Sequence, residues 1–350
     1  MKQTDKLNSS IGVRYRMPAE WEPHEATWLA WPHNRETWPG QLLRDVCDTY
    51  LKILEILLDS ERVHLLVQDE KTQGMVKRLL RQAGVSDKNL FFHQVLTEDV
   101  WIRDYGPIFI KSRTKGKAWC KWIFNAWGEK YKDHLADNHV FPGHSTLIPY
   151  PCLETGIVLE GGAIEVNGWG VCLTTEQCLL HPSREPHRNR EKVETYLRDF
   201  LGIQEVVWLK GGICGDDTDG HIDNLARFVA PDVILVSYEE DPSDDNYGIL
   251  SENWRRVIQA AAGHGNSWKA ERLPMPGKMI IDHIRHPASY ANFYICNKAV
   301  LAPVFGDRHD QRATAILKEH FPSREVIPIS SRALVYGLGA IHCMTQQEPA

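Results

Sequence analysis

A cysteine near the end of the sequence is the strongest candidate for a catalytic nucleophile. Cys343 follows Gly337 and Gly339, stands next to His342, and precedes the polar run 345–347. Such a run is unusual in a core strand, so the segment is interpreted as a strand end that presents a reactive thiol. The alternative interpretation is a small buried hydrophobic residue, which is the common fate of a free cysteine.

A thiol is mostly protonated at neutral pH and needs a nearby base or positive charge to react. The polar loop 215–224 supplies a candidate base, His221, together with Asp223. Because side chains alternate along a strand, these two residues are expected on one face. A calcium loop is disfavoured, since Ile222 and Phe228 stand where its glycine and glutamate belong. Zinc is disfavoured because no third or fourth ligand with a recognised spacing accompanies the pair.

Two other segments carry acids in apolar surroundings. Segment 98–107 places Trp101 and Asp104 at the start of a predicted hairpin. A solvated loop explains the charges there but not the tryptophan among them. Glu160 is followed by two glycines at the start of a predicted apolar strand, where a buried carboxylate needs a partner.

The acids in these segments indicate which kind of carbon the cysteine would attack. Cysteine with histidine and acids is typical either of a protease or of a hydrolase acting on another carbon. A peptide carbonyl requires oxyanion donors around it rather than acids. A guanidinium group is a planar cation whose fork of N–H donors suits carboxylates. Asp104 and Asp223 are suited to hold such a group, with Trp101 packed over the cation.

The elements that must position these residues repeat along the sequence. Helical periodicity over residues 41–59 recurs in helices that begin near His187, Gly248 and His309, about sixty residues apart. Each of the three later helices leads into a short apolar strand, at 205–209, 271–275 and 325–329. Predicted hairpins alternate with them, at 157–174, 224–238 and 290–304. The unit is hairpin, helix, strand, and its repetition indicates a solenoid, a propeller or another repeated array.

The N-terminal part supplies two further copies of this unit. One combines 26–31, the helix 41–59 and 63–67, and the other combines 71–82, 90–95 and the hairpin 107–124. The apolar stretch 333–344 is the expected partner of the strand 26–31. Pairing of the last strand with the first favours a closed ring, which removes exposed sheet edges and carries Cys343 to the centre.

The composition of the sequence limits the class of protein, its partners and its compartment. The 350 residues are 43% hydrophobic and 25% charged, as in a globular protein, and residues 1–350 are expected to form one domain. A net charge of −6 without a basic block argues against nucleic-acid binding, and no apolar window is long enough to span a membrane. Eight cysteines without a C-x-x-C pair, and no apolar signal core in residues 1–10, predict a cytoplasmic protein.

Six motifs, in order along nearly the whole sequence, resemble those of the agmatine deiminase family, a branch of the guanidine-modifying, peptidyl-arginine-deiminase-like enzymes. They are Met17–Pro32, Trp101–Pro107, Leu159–Gly162, Thr218–Asp223, Ser289–Tyr294 and Ile341–Gln347. The resemblance implies an α/β fold, a five-bladed α/β propeller (the pentein fold) with pseudo-fivefold symmetry. This agrees with the repeated hairpin, helix and strand unit.

The resemblance also implies roles at matching positions. Cys343 resembles the nucleophile and His221 the general acid and base, while Glu160 resembles the carboxylate that orients this histidine. Asp104 and Asp223 resemble the pair that binds the guanidinium, Trp101 an aromatic residue of the pocket, and Asn292 a supporting residue near the cysteine.

The implied reaction converts agmatine and water to N-carbamoylputrescine and ammonia through a covalent amidino-cysteine, a step of putrescine and polyamine biosynthesis. Neither a metal nor an organic cofactor is expected, and the resemblance suggests a homo-oligomer. A deiminase of free or peptidyl arginine, or an amidinotransferase, stays open. A protein of another class, a non-catalytic or zinc-dependent ligand-binding propeller, also stays open.

Overall fold

A computed structural model describes residues 15–144, 146–263 and 268–350. Residues 1–10, on which the expected lack of a signal segment rests, lie outside these ranges. Of the helices within them, none has the length and apolar character needed to cross a bilayer.

Short strands alternate with helices along the described ranges. The strands are β1 (His24–Ala30), β2 (Arg62–Val67), β3 (Leu90–Gln94), β4 (Ile108–Ser112), β5 (Gly116–Ile123), β6 (Cys152–Val158), β7 (Glu165–Val166), β8 (Val171–Thr175), β9 (Glu205–Leu209), β10 (Ala226–Ala230), β11 (Val233–Tyr238), β12 (Lys269–Pro274), β13 (Ile280–Ile281), β14 (Ile284–Arg285), β15 (Tyr294–Ile295), β16 (Ala299–Val304), β17 (Glu325–Ser330) and β18 (Gln346–Pro349). The helices are α1 (Leu42–Leu58), α2 (Glu70–Gln82), α3 (Ile102–Tyr105), α4 (Ala126–Glu129), α5 (Glu176–Leu179), α6 (Arg190–Leu201), α7 (Tyr247–Gly263), α8 (Asp310–His320) and α9 (Arg332–Tyr336).

Five of the sheets formed by the described residues follow one plan. An antiparallel pair of strands is extended by a third strand that runs parallel to the second, in the orders β18-β1-β2, β4-β5-β6, β7-β8-β9, β10-β11-β12 and β15-β16-β17. In four of them a long helix, α1, α6, α7 or α8, connects the two parallel strands. The predicted hairpin, helix and strand unit is therefore confirmed. Strands β13 and β14 form a separate hairpin.

Local sequence accounts for these elements. The middle strand β8 is buried along its whole length, as expected where a parallel neighbour and a covering helix exclude water. Helix α6 begins where the side chain of Asn189 accepts a hydrogen bond from the Lys192 amide. It ends at Gly202, whose left-handed backbone (φ 73°) suits glycine.

The first and last strands pair, but the predicted partner segment is wrong. Strand β1 is antiparallel to β18, with Thr27 opposite Gln347, whereas residues 333–344 form most of α9 and a 3₁₀ turn. Residues 333–344 were chosen because they are apolar, whereas the true partner strand, β18, buries polar side chains. Glu348, for example, accepts a hydrogen bond from the Trp28 indole at 3.0 Å and lies 3.0 Å from Lys117 Nζ.

The second predicted N-terminal copy is also wrong. Helix α2 and strand β3 extend the first sheet beside β2 instead of joining the hairpin β4–β5. That hairpin takes β6 as its third strand. In the described ranges each sheet stays open, and the pairing of β18 with β1 joins the two chain ends in one sheet.

Short segments just before the first strand of each repeated sheet meet at one place. They are α3 before β4, the 3₁₀ turns 161–163, 222–224 and 342–344 before β7, β10 and β18, and the segment 289–292 before β15. Helix α3 contacts the turns 161–163 and 342–344, and the turn 161–163 contacts the turn 222–224. All the residues predicted for the site lie in or directly beside these segments.

Candidate active site

The thiol of Cys343 lies in the 3₁₀ turn His342–Met344 that leads into β18. It lines a cavity, although only 8% of the residue is exposed. The amide of Asn292 donates a hydrogen bond to Sγ at 3.3 Å, and Asp223 Oδ2 lies 3.7 Å from it. Burial and the carboxylates of Asp223 and Asp104 raise the pKa of the thiol well above its ordinary value. The unliganded protein therefore holds a protonated thiol that a cation would activate.

Asp104 is held by three neighbours. The indole of Trp127 donates to Oδ2 at 2.9 Å, the amide of Gly162 donates to Oδ1 at 3.1 Å, and His221 Nδ1 lies 3.6 Å from Oδ1. Burial, together with the charge of Asp223, raises the pKa of Asp104 to about 6 despite these contacts. Near neutral pH this carboxylate is ionised but easily protonated.

Asp223 has different partners and the opposite pKa shift. His342 Nδ1 lies 2.8 Å from Oδ2, while Oδ1 is buried and has no hydrogen-bond partner in the described part of the chain. Burial would raise the pKa of Asp223, but His342 and His221 outweigh it and lower that pKa. A buried acceptor without a donor is costly, so Oδ1 is suited to an N–H group of a ligand.

His221 does not lie on a strand, contrary to the prediction. It precedes the 3₁₀ turn Ile222–Asn224, so the alternation argument for placing it with Asp223 is wrong, although both residues reach the same site. Burial alone would lower the pKa of His221. The carboxylate of Asp104, contact with Cys178 and the carboxylate of Glu160 outweigh burial and hold that pKa well above the ordinary value.

Glu160 lies close to His221 without bonding to it. One carboxylate oxygen accepts a hydrogen bond from Arg184 Nε at 2.8 Å, and the other has no partner among the described residues. A carboxylate oxygen of Glu160, the Cys178 thiol and a ring nitrogen of His221 lie within 4.8 Å of one another. Glu160 and Cys178 come from segments that sequence spacing could not relate to His221.

Glycines allow these side chains to approach. A Cβ atom on Gly162 would lie 2.5 Å from His221 Nδ1 and 2.8 Å from Asp104 Oδ1. One on Gly339 would lie 2.3 Å from the ring of Trp101. Neither distance is tolerated between non-bonded atoms, so both positions require glycine.

The cavity above the thiol has a volume of about 320 Å³. Its lining combines aromatic rings with carboxylates and contains no lysine or arginine among the described residues. The lining residues are Asn34, Glu36, Thr37, Asp99, Trp101, Asp104, Trp127, Tyr131, His134, Asp217, Thr218, Tyr336, Gly337, Leu338, Gly339 and Cys343. Such a pocket complements a cation with an apolar body.

Sequence reasoning missed several side chains of the site. Trp127 reaches Asp104 from a backbone with φ 53°, a strained conformation for tryptophan that no sequence pattern signals. Cys178 and Arg184 come from the segment after β8, far from the quoted motifs. His342 was noted only as a neighbour of the cysteine. Glu20 lies in the first motif, but no partner could be named for it.

Comparison with known proteins identifies the family. The profile of the Porphyromonas-type peptidyl-arginine deiminase family matches residues 16–349. The chain belongs to this family. Among its relatives, the agmatine deiminase of Stutzerimonas stutzeri (strain A1501) is 33% identical, over 96% of both chains.

Solved structures of relatives have the same mixed α/β fold. A structure of C. jejuni agmatine deiminase with substrate bound is 28% identical, with a TM-score of 0.85 over 97% of this chain and 98% of that one. A putative arginine deiminase from Porphyromonas gingivalis is 34% identical, with a TM-score of 0.86 over 96% of this chain and 98% of that one. Agmatine deiminases and a putative arginine deiminase are therefore among its relatives.

Proposed function

We propose that this member of the family hydrolyses agmatine to N-carbamoylputrescine and ammonia. The observation that carries the proposal is a buried thiol flanked by two carboxylates at the base of a cavity lined by acids and aromatic rings. The agmatine deiminases among its relatives support the same substrate.

In the first half of the reaction, Asp104 and Asp223 hold the guanidinium so that its central carbon faces Cys343. The cation lowers the pKa of the thiol, whose proton passes to a site carboxylate. The sulfur then bonds to the central carbon. His221 donates a proton to one NH₂ group, the C–N bond breaks, and ammonia leaves. A covalent amidino-thioether remains on Cys343.

In the second half, a water molecule takes the place of the ammonia. His221 accepts its proton, the oxygen bonds to the same carbon, and the C–S bond breaks. The ureido product leaves and releases the second proton of the water to solvent, while the carboxylate returns the thiol proton to the sulfur, which restores the thiol. Glu160 supports this cycle by keeping a negative charge near His221, in line with its contribution to the raised pKa of that histidine. Asn292 supports it by its hydrogen bond to Sγ.

The cavity favours agmatine over arginine. An α-carboxylate would require a basic partner, whereas the lining residues Glu36, Asp99 and Asp217 are acids, and the lining histidine, His134, already lies 3.6 Å from Asp99. Agmatine ends in an ammonium group, which these acids complement. A peptidyl arginine lacks the carboxylate but brings a backbone that an enclosed site must accommodate.

A zinc protein is the second candidate, because Glu160, Cys178 and His221 offer three zinc-binding donor types within 4.8 Å. The Arg184 guanidinium already bonds Glu160 at 2.8 Å, and the raised pKa of His221 favours a proton there over a metal. Stoichiometric zinc in the purified protein, or activity lost to a chelator, would establish the zinc protein instead.

At the level of the whole chain, we propose that the five repeated sheets form the five blades of a pentein propeller within one domain, residues 1–350. The support is that each sheet delivers a segment to the site. The eight free cysteines support a reducing cytoplasmic compartment. A homo-oligomer is proposed from the family resemblance.

The test of the function compares ammonia release from agmatine, free arginine and a peptidyl arginine. Agmatine is expected to have the highest kcat/KM by a wide margin. Equal rates on the three would refute the substrate assignment, and amidino transfer to an added amine without ammonia would indicate a transferase. Absence of turnover on any guanidine would leave the non-catalytic propeller.

A further inference from the structure

A buried chain of charges that the proposed mechanism does not use lies behind Asp223. His342 Nε2 lies 2.8 Å from Glu20 Oε2, and the other oxygen of Glu20 accepts hydrogen bonds from Arg227 Nη2 and the Ile295 amide, both at 2.8 Å. Glu20, His342, Asp223 and Arg227 are each at most 4% exposed. Direct contacts therefore link the Arg227 guanidinium, the Glu20 carboxylate, the His342 imidazole and the Asp223 carboxylate in that order.

The geometry fixes the protons on His342. Each of its ring nitrogens lies 2.8 Å from a carboxylate oxygen, Nδ1 from Asp223 and Nε2 from Glu20. An ionised carboxylate only accepts hydrogen bonds, and a neutral imidazole can donate from only one nitrogen. The contacts of His342 with Asp223 and with Glu20 are therefore both favourable when the ring carries a proton on each nitrogen. The Arg227 guanidinium bonds Glu20 and keeps that carboxylate ionised.

We propose that His342, held as an imidazolium by Glu20, is a positioning residue that fixes one oxygen of Asp223 and leaves the other for the substrate guanidinium. The unpartnered oxygen of Asp223 is the direct support, since its mate is the one bound to His342. The inference rests on the proposed function for the identity of the substrate, but not for the charge state of His342.

The arrangement separates the roles of the two site carboxylates. Asp104 has a tryptophan, an amide and His221 as partners, while Asp223 has an imidazolium bonded at 2.8 Å. His342 therefore keeps Asp223 ionised at a pH where Asp104 begins to take up a proton. The charged and titratable groups around Asp223 are Asp104, His221 and Cys343. Those around His342 are Glu20, Arg103, Glu165 and Arg227.

The first test is the pH profile of kcat/KM in His342→Gln, with His286→Gln as the matched control. His286 is also a buried histidine, but its ring bonds a backbone carbonyl at 3.0 Å instead of a carboxylate. Loss of the imidazolium should raise the pKa of Asp223 towards that of Asp104, so a second protonation should join the acid limb, which should steepen and move up, and KM for agmatine should rise. The limb should not move in the control. Glu20→Gln should shift it in the same direction by less.

A folded His342→Gln enzyme with the acid limb of the wild type would overturn the proposal, because a purely structural histidine changes the active fraction and not the profile. Should the variants fail to fold, ¹⁵N NMR of histidine-labelled protein still decides. His221→Asn removes the other histidine close to the site carboxylates. In that variant, the ¹⁵N chemical shifts of the His342 ring should be those of an imidazole with both nitrogens protonated.

A neutral His342 ring in the NMR spectrum of the His221→Asn variant would also overturn the proposal. The NMR measurement needs no turnover, so its outcome is independent of the substrate assignment. A wild-type protein that releases no ammonia from agmatine would refute the proposed function while the imidazolium signal could still be present.

Discussion

At the scale of residues, the site shows how one residue type acquires opposite properties from its partners. Asp104 and Asp223 are both buried, and burial alone raises the pKa of each. The pKa of Asp104 rises to about 6, while His342 lowers that of Asp223. Near neutral pH the site therefore contains one firmly ionised carboxylate and one that titrates within the working range of the enzyme.

Asp104 should set the acid limb of activity. Its protonated form cannot pair with a cation, so kcat/KM for agmatine should rise as pH increases through about 6. Asp104→Asn should lower kcat/KM by about 10- to 100-fold through a higher KM and abolish this limb, since a charged hydrogen bond contributes about 1.5–3 kcal/mol. The exposed Asp282→Asn is the control. A fully active Asp104→Asn enzyme would contradict the proposed carboxylate pair.

The raised pKa of Cys343 makes a second prediction. Alkylation of this thiol by iodoacetamide in the free enzyme should be slow at neutral pH and accelerate as pH rises, because the thiolate reacts. Asp223→Asn should accelerate it, since one of the charges that raise the pKa is lost. Peptide mapping distinguishes Cys343 from the exposed Cys152. Fast alkylation at neutral pH in the wild type would show that the thiol is already ionised.

At the scale of elements, the site is built by turns and not by strands. Each repeated sheet begins just after a segment that carries a site residue, as α3 carries Asp104 and the turn 342–344 carries Cys343. The backbone of these turns must approach the side chains of their neighbours. Gly162 is one such position, because its missing Cβ leaves room for both His221 and Asp104.

Gly162→Ala should therefore damage activity more than stability. The added methyl group must displace His221 or Asp104, and a displacement of about 1 Å can reduce kcat/KM about 100-fold. Gly248→Ala is the matched control, because a Cβ there meets nothing within 4 Å. Kinetics and thermal unfolding of both variants check the prediction. Wild-type kinetics in Gly162→Ala would show that the site tolerates rearrangement.

Sequence periodicity predicted the repeated elements well, because helices and hairpins follow local patterns of apolar residues. The strand 205–209 lies where it was predicted, and each of the three predicted hairpin ranges contains an antiparallel pair of strands. The final strand was missed because its buried side chains are polar and are stabilised by partners such as Lys117 from a distant strand. The partner of Asp104, Trp127, was missed for the same reason: a contact between distant segments leaves no local signal.

At the scale of the molecule, the first and last strands share a sheet, so the cysteine near the chain end is held by residues near its beginning. Glu348 is central to this junction. It contacts Lys117 and Trp28, each at 3.0 Å, and is only 4% exposed. The junction couples the stability of the fold to the position of the nucleophile.

Glu348→Ala should lower the free energy of unfolding by about 2 kcal/mol, because it leaves the Trp28 N–H without its acceptor and Lys117 with one carboxylate instead of two. Glu319→Ala, on an exposed face of α8, is the control. Urea unfolding measures both. Equal stability of Glu348→Ala and wild type would show that the contacts of Glu348 contribute little to holding the chain ends.

The central claim is that Cys343 bonds to the guanidinium carbon during turnover. The most direct measurement is the intact mass of the enzyme quenched in acid while it turns over saturating agmatine, followed by peptide mapping. We predict a fraction of the protein carrying the mass of agmatine less ammonia on the Cys343 peptide, with neither adduct nor turnover in Cys343→Ser. An adduct on another residue, or wild-type turnover by Cys343→Ser, would contradict the account.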